Sequence, residues 1–222
     1  MMKNKKCLLA FLTLVFVAFQ ANTYAQTSPD KQSKNIEWGL RGGLNLSNTS
    51  AGFGTGSTFR DPSFKLGMLG GVTLQVPLSN ALRLQPEITF SSEGSLQEGL
   101  IGNVTDNKYV LVFTTQLNFL NIPVMLQYNQ GKGFYAETGP QLGILLNARL
   151  KNAFPAAGAP SETTISDTKN AVISWASGLG YQFDGRTALG LRYTMGLSNY
   201  TDGTSKQKVN TLQLLLHYRL NK

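Results

Sequence analysis

The feature that most constrains this chain is a period of two in its apolar residues, repeated along most of its length. Around Pro86, the residues Leu82, Leu84, Pro86, Ile88 and Phe90 fall on one face, with Arg83, Gln85, Glu87, Thr89 and Ser91 on the other. Further on, Leu189, Leu191, Tyr193, Met195 and Leu197 alternate with Gly190, Arg192, Thr194 and Gly196. Near the C-terminus Leu212, Leu214, Leu216, Tyr218 and Leu220 alternate with Thr211, Gln213, Leu215, His217 and Arg219. Successive side chains of a strand point to opposite faces, so the pattern predicts strands with one apolar and one polar face. Read this way, the chain holds eight strands, near 36–48, 63–78, 81–92, 109–128, 133–148, 170–183, 186–198 and 208–220.

The connections alternate in length. Leu78-Ser79-Asn80, Asn129-Gln130-Gly131-Lys132 and Phe183-Asp184-Gly185-Arg186 read as tight turns, with Gly, Asn and Asp where such turns need them. The segments 49–62, 93–108, 149–169 and 199–207 are long and rich in Gly, Ser, Thr and Asn. An even strand number with short turns at one end and long loops at the other is the plan of a membrane barrel.

The charges decide between a lipid-facing barrel and a soluble one. Charged residues make up 14% of the chain, against roughly 25% in soluble domains. Apart from Lys208 at the first position of the last strand, none falls on the apolar face of a predicted strand. Glu37, Arg41, Lys65, Arg83, Glu87, Glu137, Arg192 and Arg219 share the polar face with many glycines. A soluble barrel turns its apolar face inward and needs repeated Lys and Glu outside; here the polar face has the makeup of a narrow, filled lumen. The predicted fold is therefore all-β: an eight-stranded antiparallel up-and-down transmembrane β-barrel over residues 36–222. Trp38, Phe64, Phe90, Phe134, Trp175, Tyr181, Phe183 and Tyr218 belong to the outward set, mostly near strand ends, as interfacial rings do.

Residues 1–25 read as a secretory signal peptide. Lys3, Lys5 and Lys6 form the basic start, Leu8–Phe19 the apolar stretch, and Thr23-Tyr24-Ala25 the small-residue cleavage site. Residues 26–35 are polar and are expected to be a periplasmic N-terminal segment. The single cysteine, Cys7, lies in the leader, so the mature chain has no disulfide and no Cys-based zinc site. The net charge of +8 includes the three leader lysines, and the remaining Lys and Arg form no dense run, which argues against a nucleic-acid partner.

Several segments resemble the PorT-like outer-membrane β-barrel family. Trp38-Gly39-Leu40-Arg41-Gly42-Gly43-Leu44-Asn45-Leu46-Ser47 is similar to its first strand, and Leu84-Gln85-Pro86-Glu87-Ile88-Thr89-Phe90-Ser91 to its third. Leu117-Asn118-Phe119-Leu120-Asn121-Ile122-Pro123-Val124 resembles the fourth-strand pattern, Gly139-Pro140-Gln141 follows in the fifth, and Leu191-Arg192-Tyr193 with Gly196-Leu197 in the seventh. The matching positions include Gly43, Asn45, Pro86, Glu87, Pro123, Gly139, Pro140 and Arg192. Asn121 departs from the pattern, standing where a Glu is common, and the chain ends on Tyr218-Arg219-Leu220-Asn221-Lys222 rather than on a terminal aromatic. The resemblance implies a small barrel in the outer membrane of a Gram-negative, Bacteroidota-type bacterium. It implies no single activity, although the namesake is linked to a secretion system.

Catalytic and metal chemistry find little footing. The sole histidine, His217, falls near the end of the last strand, away from the long loops, and is expected to be a polar lumen residue. Glu93, Glu98, Asp106, Glu162 and Asp167 are read as solvated loop carboxylates without calcium-loop spacing. Gly52-Phe53-Gly54-Thr55-Gly56 opens no helix and reads as a surface loop rather than a phosphate-binding turn. No enzyme, metal or cofactor is expected. The sharpest chemical feature is the inward set Arg41, Arg83, Glu87, Glu137 and Arg192, expected to meet as a structural lumen charge network, because eight strands leave only a side-chain-filled interior. The expected role is structural or interactive through the long loops, with an accessory part in secretion as its narrower form; a narrow channel for ions or small solutes is the alternative. The expected surroundings are outer-membrane lipid and a protein partner at the loops, with the barrel as a monomer.

Overall fold

The computed structural model describes residues 35–50, 61–101, 109–129, 133–152, 162–165, 168–202 and 206–221. The alternating segments form β1 (Glu37–Thr49), β2 (Ser63–Pro77), β3 (Leu82–Ile101), β4 (Tyr109–Asn129), β5 (Phe134–Asn152), β6 (Glu162–Thr164), β7 (Ala171–Gln182), β8 (Thr187–Gly196) and β9 (Val209–Arg219). Every strand but β6 belongs to a ring in which each pairs antiparallel with the next, and β1 pairs with β9 to close it. Closure places Gly43 opposite Leu215 on one side and Leu69 on the other. The barrel is eight-stranded, as the alternation predicts.

Its polarity is inverted relative to a soluble domain. Leu66 and Leu179 are 64% and 68% exposed, whereas Glu87 and Arg192 are each 2% exposed. All eight rings of the outward set, from Trp38 to Tyr218, are exposed. Six large rings gather at the end with the short turns: Trp38, Tyr128, Phe134, Tyr181, Phe183 and Tyr218. Phe134 meets Tyr181 edge-on at 4.8 Å between centroids, and Tyr181 meets Phe183 at 5.3 Å. A surface this apolar is stable only against hydrocarbon, with amphipathic rings at its boundary.

Inside, Tyr135 needs a bare wall. The hydroxyl end of its ring lies against Gly180 and Gly190, and a Cβ at Gly180 would clash with the ring at Cζ and with the hydroxyl.

Strand lengths differ in a way the alternation alone did not foresee. A tilted strand crosses a bilayer in roughly 9–11 residues. β8 and β9 have 10 and 11, but β3, β4 and β5 have 20, 21 and 19. The turns level the strands at one end, so the excess forms a wall rising beyond the other end. The assignment of 93–108 and 149–169 to loops is therefore corrected: residues 93–101 pair with 109–117, and 149–151 pair with β6. Above the bilayer a strand has no lipid to face, so its sequence loses the apolar alternation by which it is recognised. Glu93 and Glu98 are strand residues, not loop carboxylates, and Glu162 belongs to β6. The signal peptide with Cys7, the Gly52–Gly56 loop, Asp106, Asp167 and the centre of the 129–132 turn lie outside the described residues.

The described turns show the chemistry expected of them. The Ser79 hydroxyl accepts from the Ala81 and Leu82 amides at 3.3 and 3.1 Å. Asp184 Oδ1 accepts from the Arg186 and Thr187 amides at 2.6 and 2.5 Å. These backbone donors hold the Asp184 carboxyl below its usual 3.8. Two predictions follow from the fold. The folded protein should migrate differently on gels when boiled and unboiled, and should fractionate with membranes. The contribution of Asp184 should be complete above pH 3.8 and fade as pH falls through its lower folded value; Asp184→Ala should lower the neutral-pH melting temperature more than Asp184→Asn, and an equal effect would sink the turn assignment.

Candidate functional site in the barrel lumen

Arg41 on β1, Glu87 on β3, Glu137 on β5 and Arg192 on β8 point into the lumen by strand parity and converge from separate parts of the ring. Arg41 Nη1 lies 2.6 Å from Glu87 Oε1. Arg192 grips Glu87 as a fork, donating through Nη1 to Oε2 at 3.1 Å and through Nη2 to Oε1 at 2.8 Å. The same guanidinium reaches Glu137 Oε1 through Nε at 2.7 Å, and Arg41 Nη2 stands 3.8 Å from Glu137 Oε2. Two cations and two anions thus cancel in the middle of the barrel. Each is at most 4% exposed.

A relay of amides extends the cluster toward the turn end. Gln85 Nε2 donates to Glu87 Oε1 at 2.7 Å, and Gln75 Nε2 donates to Gln85 Oε1 at 2.5 Å and to Gln127 Oε1 at 3.3 Å. Below it, Arg219 reaches Gln182 Oε1 at 2.6 Å and Glu37 Oε2 at 3.3 Å. His217 is a buried lumen residue, sharing a 2.9 Å hydrogen bond between its Nε2 and Thr73 Oγ1.

Of the five residues expected to meet, Arg83 does not join. It sits opposite Pro77 and Gln127 near the turn end, half-buried, and its Nη1 has no hydrogen-bond partner among the described residues. Strand parity points Arg83 inward but says nothing about height, and height separates it from the carboxylates. The other motif positions serve the wall. Asn45 donates to Ser91 Oγ at 2.9 Å, and Pro123 is fully buried on the inner face of β4. Pro86 pairs opposite Val124, and Pro140 opposite Trp175. Gly43 and Gly139 lie where a Cβ would strike the Leu214 and Val124 carbonyls.

The lumen has a second layer that sequence parity did not isolate. Toward the loop end Leu117, Phe119, Ala148 and Val172 pack with Tyr200, against Leu145, Ile165 and Val209. Tyr200 comes from the β8–β9 connection. The Lys169 amide donates to its carbonyl at 2.7 Å, its amide donates to the Gln207 carbonyl at 2.9 Å, and its hydroxyl donates to the Gln207 side chain. Leu117 and Phe119 occupy inward positions beside the outward-facing Gln116 and Asn118, so the alternation here runs opposite to that of the lipid-facing band. Between the ionic layer and this cap lies a small cavity bordered by Glu93, Asn121 and Thr194.

A lipid-facing eight-stranded barrel with a lumen filled around a charge-neutral cluster defines the class: a small outer-membrane β-barrel protein. A family model described as outer membrane protein beta-barrel domain matches residues 24–202, and the chain belongs to that family. No curated protein matches the sequence. Among solved structures, Ail, the attachment invasion locus protein of Yersinia pestis, crystallised with the heparin analogue sucrose octasulfate, is 12% identical at a TM-score of 0.47, over 84% of this chain and 99% of Ail. Neisserial surface protein A is 12% identical at 0.45, over 83% and 97% of the two chains. OprG of Pseudomonas aeruginosa is 10% identical at 0.40, over 85% and 98%.

Glu87 joins both guanidiniums, so its loss should be the most damaging single change in the lumen. Glu87→Gln should cost about 3–5 kcal/mol, because it leaves buried cations short of a partner. Replacing Arg192 and Glu137 together with Met removes one charge of each sign and should cost less than Glu87→Gln. Urea unfolding in lipid vesicles measures both; equal losses would mean that the charges do not act as a neutral unit.

Proposed function

We propose that this protein is a non-catalytic interaction protein of the outer membrane, which binds a protein partner through the wall and loops that rise beyond the bilayer. The observation that carries this reading is the asymmetry of the barrel. β3, β4 and β5 run to about twice the length a bilayer needs, while the lumen between them is filled by an ionic cluster and an apolar cap. An interior so occupied leaves the outside as the working surface. In the orientation usual for such barrels, short turns face the periplasm and long connections face outward. The raised sheet ends in β6, whose Glu162 is tied to Arg149 at 2.9 Å on the exposed surface. That hydrogen bond holds the Glu162 carboxyl below its usual range.

The narrower kinship in this reading is with PorT-like barrels, on the motifs around Arg41, Glu87, Pro123, Gly139 and Arg192. An accessory part in secretion belongs to the same reading, with export by the residue 1–25 leader and a single barrel as the working unit. The channel alternative is opposed by buried, mutually paired charges in the lumen. Crosslinking from intact cells should capture a partner that is lost when residues 153–161 are deleted, with the barrel still heat-modifiable. The same protein in planar bilayers should be silent; steady conductance steps would overturn the reading in favour of the channel.

A further inference from the structure

Among the described residues, Glu93 is the one buried lumen carboxylate without a cation. It is 6% exposed, on β3 above the ionic layer. Arg41 and Arg192 are held by Glu87 and Glu137 below it. Lys65 is the nearby positive charge, but its Nζ ends 3.5 Å from Ser92 Oγ and makes no ion pair with Glu93 among the described residues. Glu93 has only neutral donors: the Ser91 hydroxyl, Asn121 Nδ2 at 3.1 Å to Oε1 and Thr211 Oγ1 at 3.3 Å to Oε2. A buried carboxylate satisfied by neutral groups alone is costly as an anion, and either a proton or a bound cation relieves that cost.

The space for such a charge is present. Glu93 and Asn121 border the cavity beneath the Phe119–Tyr200 cap, together with Gln141, Ser174 and Thr194. The centre of a water-sized particle can move through about 10 Å³ there, roughly what one such particle needs. Thr194 is 4% exposed, lines this cavity, and its hydroxyl oxygen has no hydrogen-bond partner among the described residues. A buried polar atom left open onto a cavity is where an ordered water or an ion belongs. The polar lining offers oxygen acceptors, with no imidazole or thiol, and so suits a hard cation rather than a transition metal. One carboxylate supplies one negative charge. A monovalent ion leaves the cavity neutral, whereas a divalent ion would leave a net positive charge beneath an apolar cap.

We propose that this cavity is a binding site for a single alkali cation, with sodium the fitting size, held by the Glu93 carboxylate and the Thr194 hydroxyl. The ion completes the upper lumen, and its site lies apart from the four-charge cluster. The test compares thermal unfolding of the purified, detergent-folded protein in sodium chloride and in choline chloride at equal ionic strength and neutral pH. Sodium should raise the melting temperature, increasingly with concentration, because it binds only the folded barrel. Glu93→Gln should abolish the difference between the salts, and Thr194→Val should shift the sodium dependence to severalfold higher concentration while the barrel stays heat-modifiable. Crystals grown in sodium chloride should show beside Glu93 a peak whose oxygen contacts are shorter than those of a hydrogen-bonded water. Identical melting in the two salts, a sodium effect that persists in Glu93→Gln, or a peak there with the contacts of a water would each overturn the proposal. Should Glu93→Gln fail to fold, Thr194→Val and those contact lengths decide the matter.

Discussion

Backbone amides in hydrocarbon have no water to pair with, and the barrel meets that demand by joining its first strand to its last. The β1–β9 ladder, from Gly39 opposite Arg219 to Thr49 opposite Val209, removes the two edges that an open sheet would expose to lipid. Once the ring is closed, each side chain must face either lipid or a lumen too narrow to admit bulk water. The apolar exterior and the ionic interior are two consequences of that one closure.

The lumen resolves the resulting packing problem in layers. Glu87 is shared by guanidiniums from β1 and β8, which also reach Glu137 on β5, so the central layer is neutral and ties distant parts of the ring together. Amides of Gln75, Gln85 and Gln127 continue the network toward the turns, where Arg219 meets Glu37 and Gln182. Toward the loop end polarity gives way to Leu117, Phe119, Val172 and Tyr200. The cluster's charges balance among themselves, although Arg41 Nε and Glu137 Oε2 make no hydrogen bond among the described residues. Glu93, lodged between it and the cap, is not neutralised in the same way.

The same closure explains the uneven wall. Lipid contact requires only a short band of each strand, and β8 and β9 provide little more than that. The surplus length of β3, β4 and β5 lies outside the band, so it serves no role in crossing the membrane. That surplus carries the exposed Arg149, which pairs with Glu162 of β6, and so suits contact with water.

What the residues determine alone is the consequence of parity: a period of two assigns each side chain to one of two faces, and the sorting of charges says which face meets lipid. The eight strands, the outward aromatic rings and the inward direction of Arg41, Glu87, Glu137 and Arg192 were legible for that reason. Parity is silent about height along the barrel axis, and in β4 its phase reverses at Leu117 and Phe119. Tertiary structure alone therefore decided that Arg83 lies too near the turns to join the cluster, that Glu93 belongs to a strand and not a loop, and that Phe119 and Tyr200 cap the lumen. Height depends on register between strands far apart in the chain, set by the closing of the whole ring rather than by any one segment.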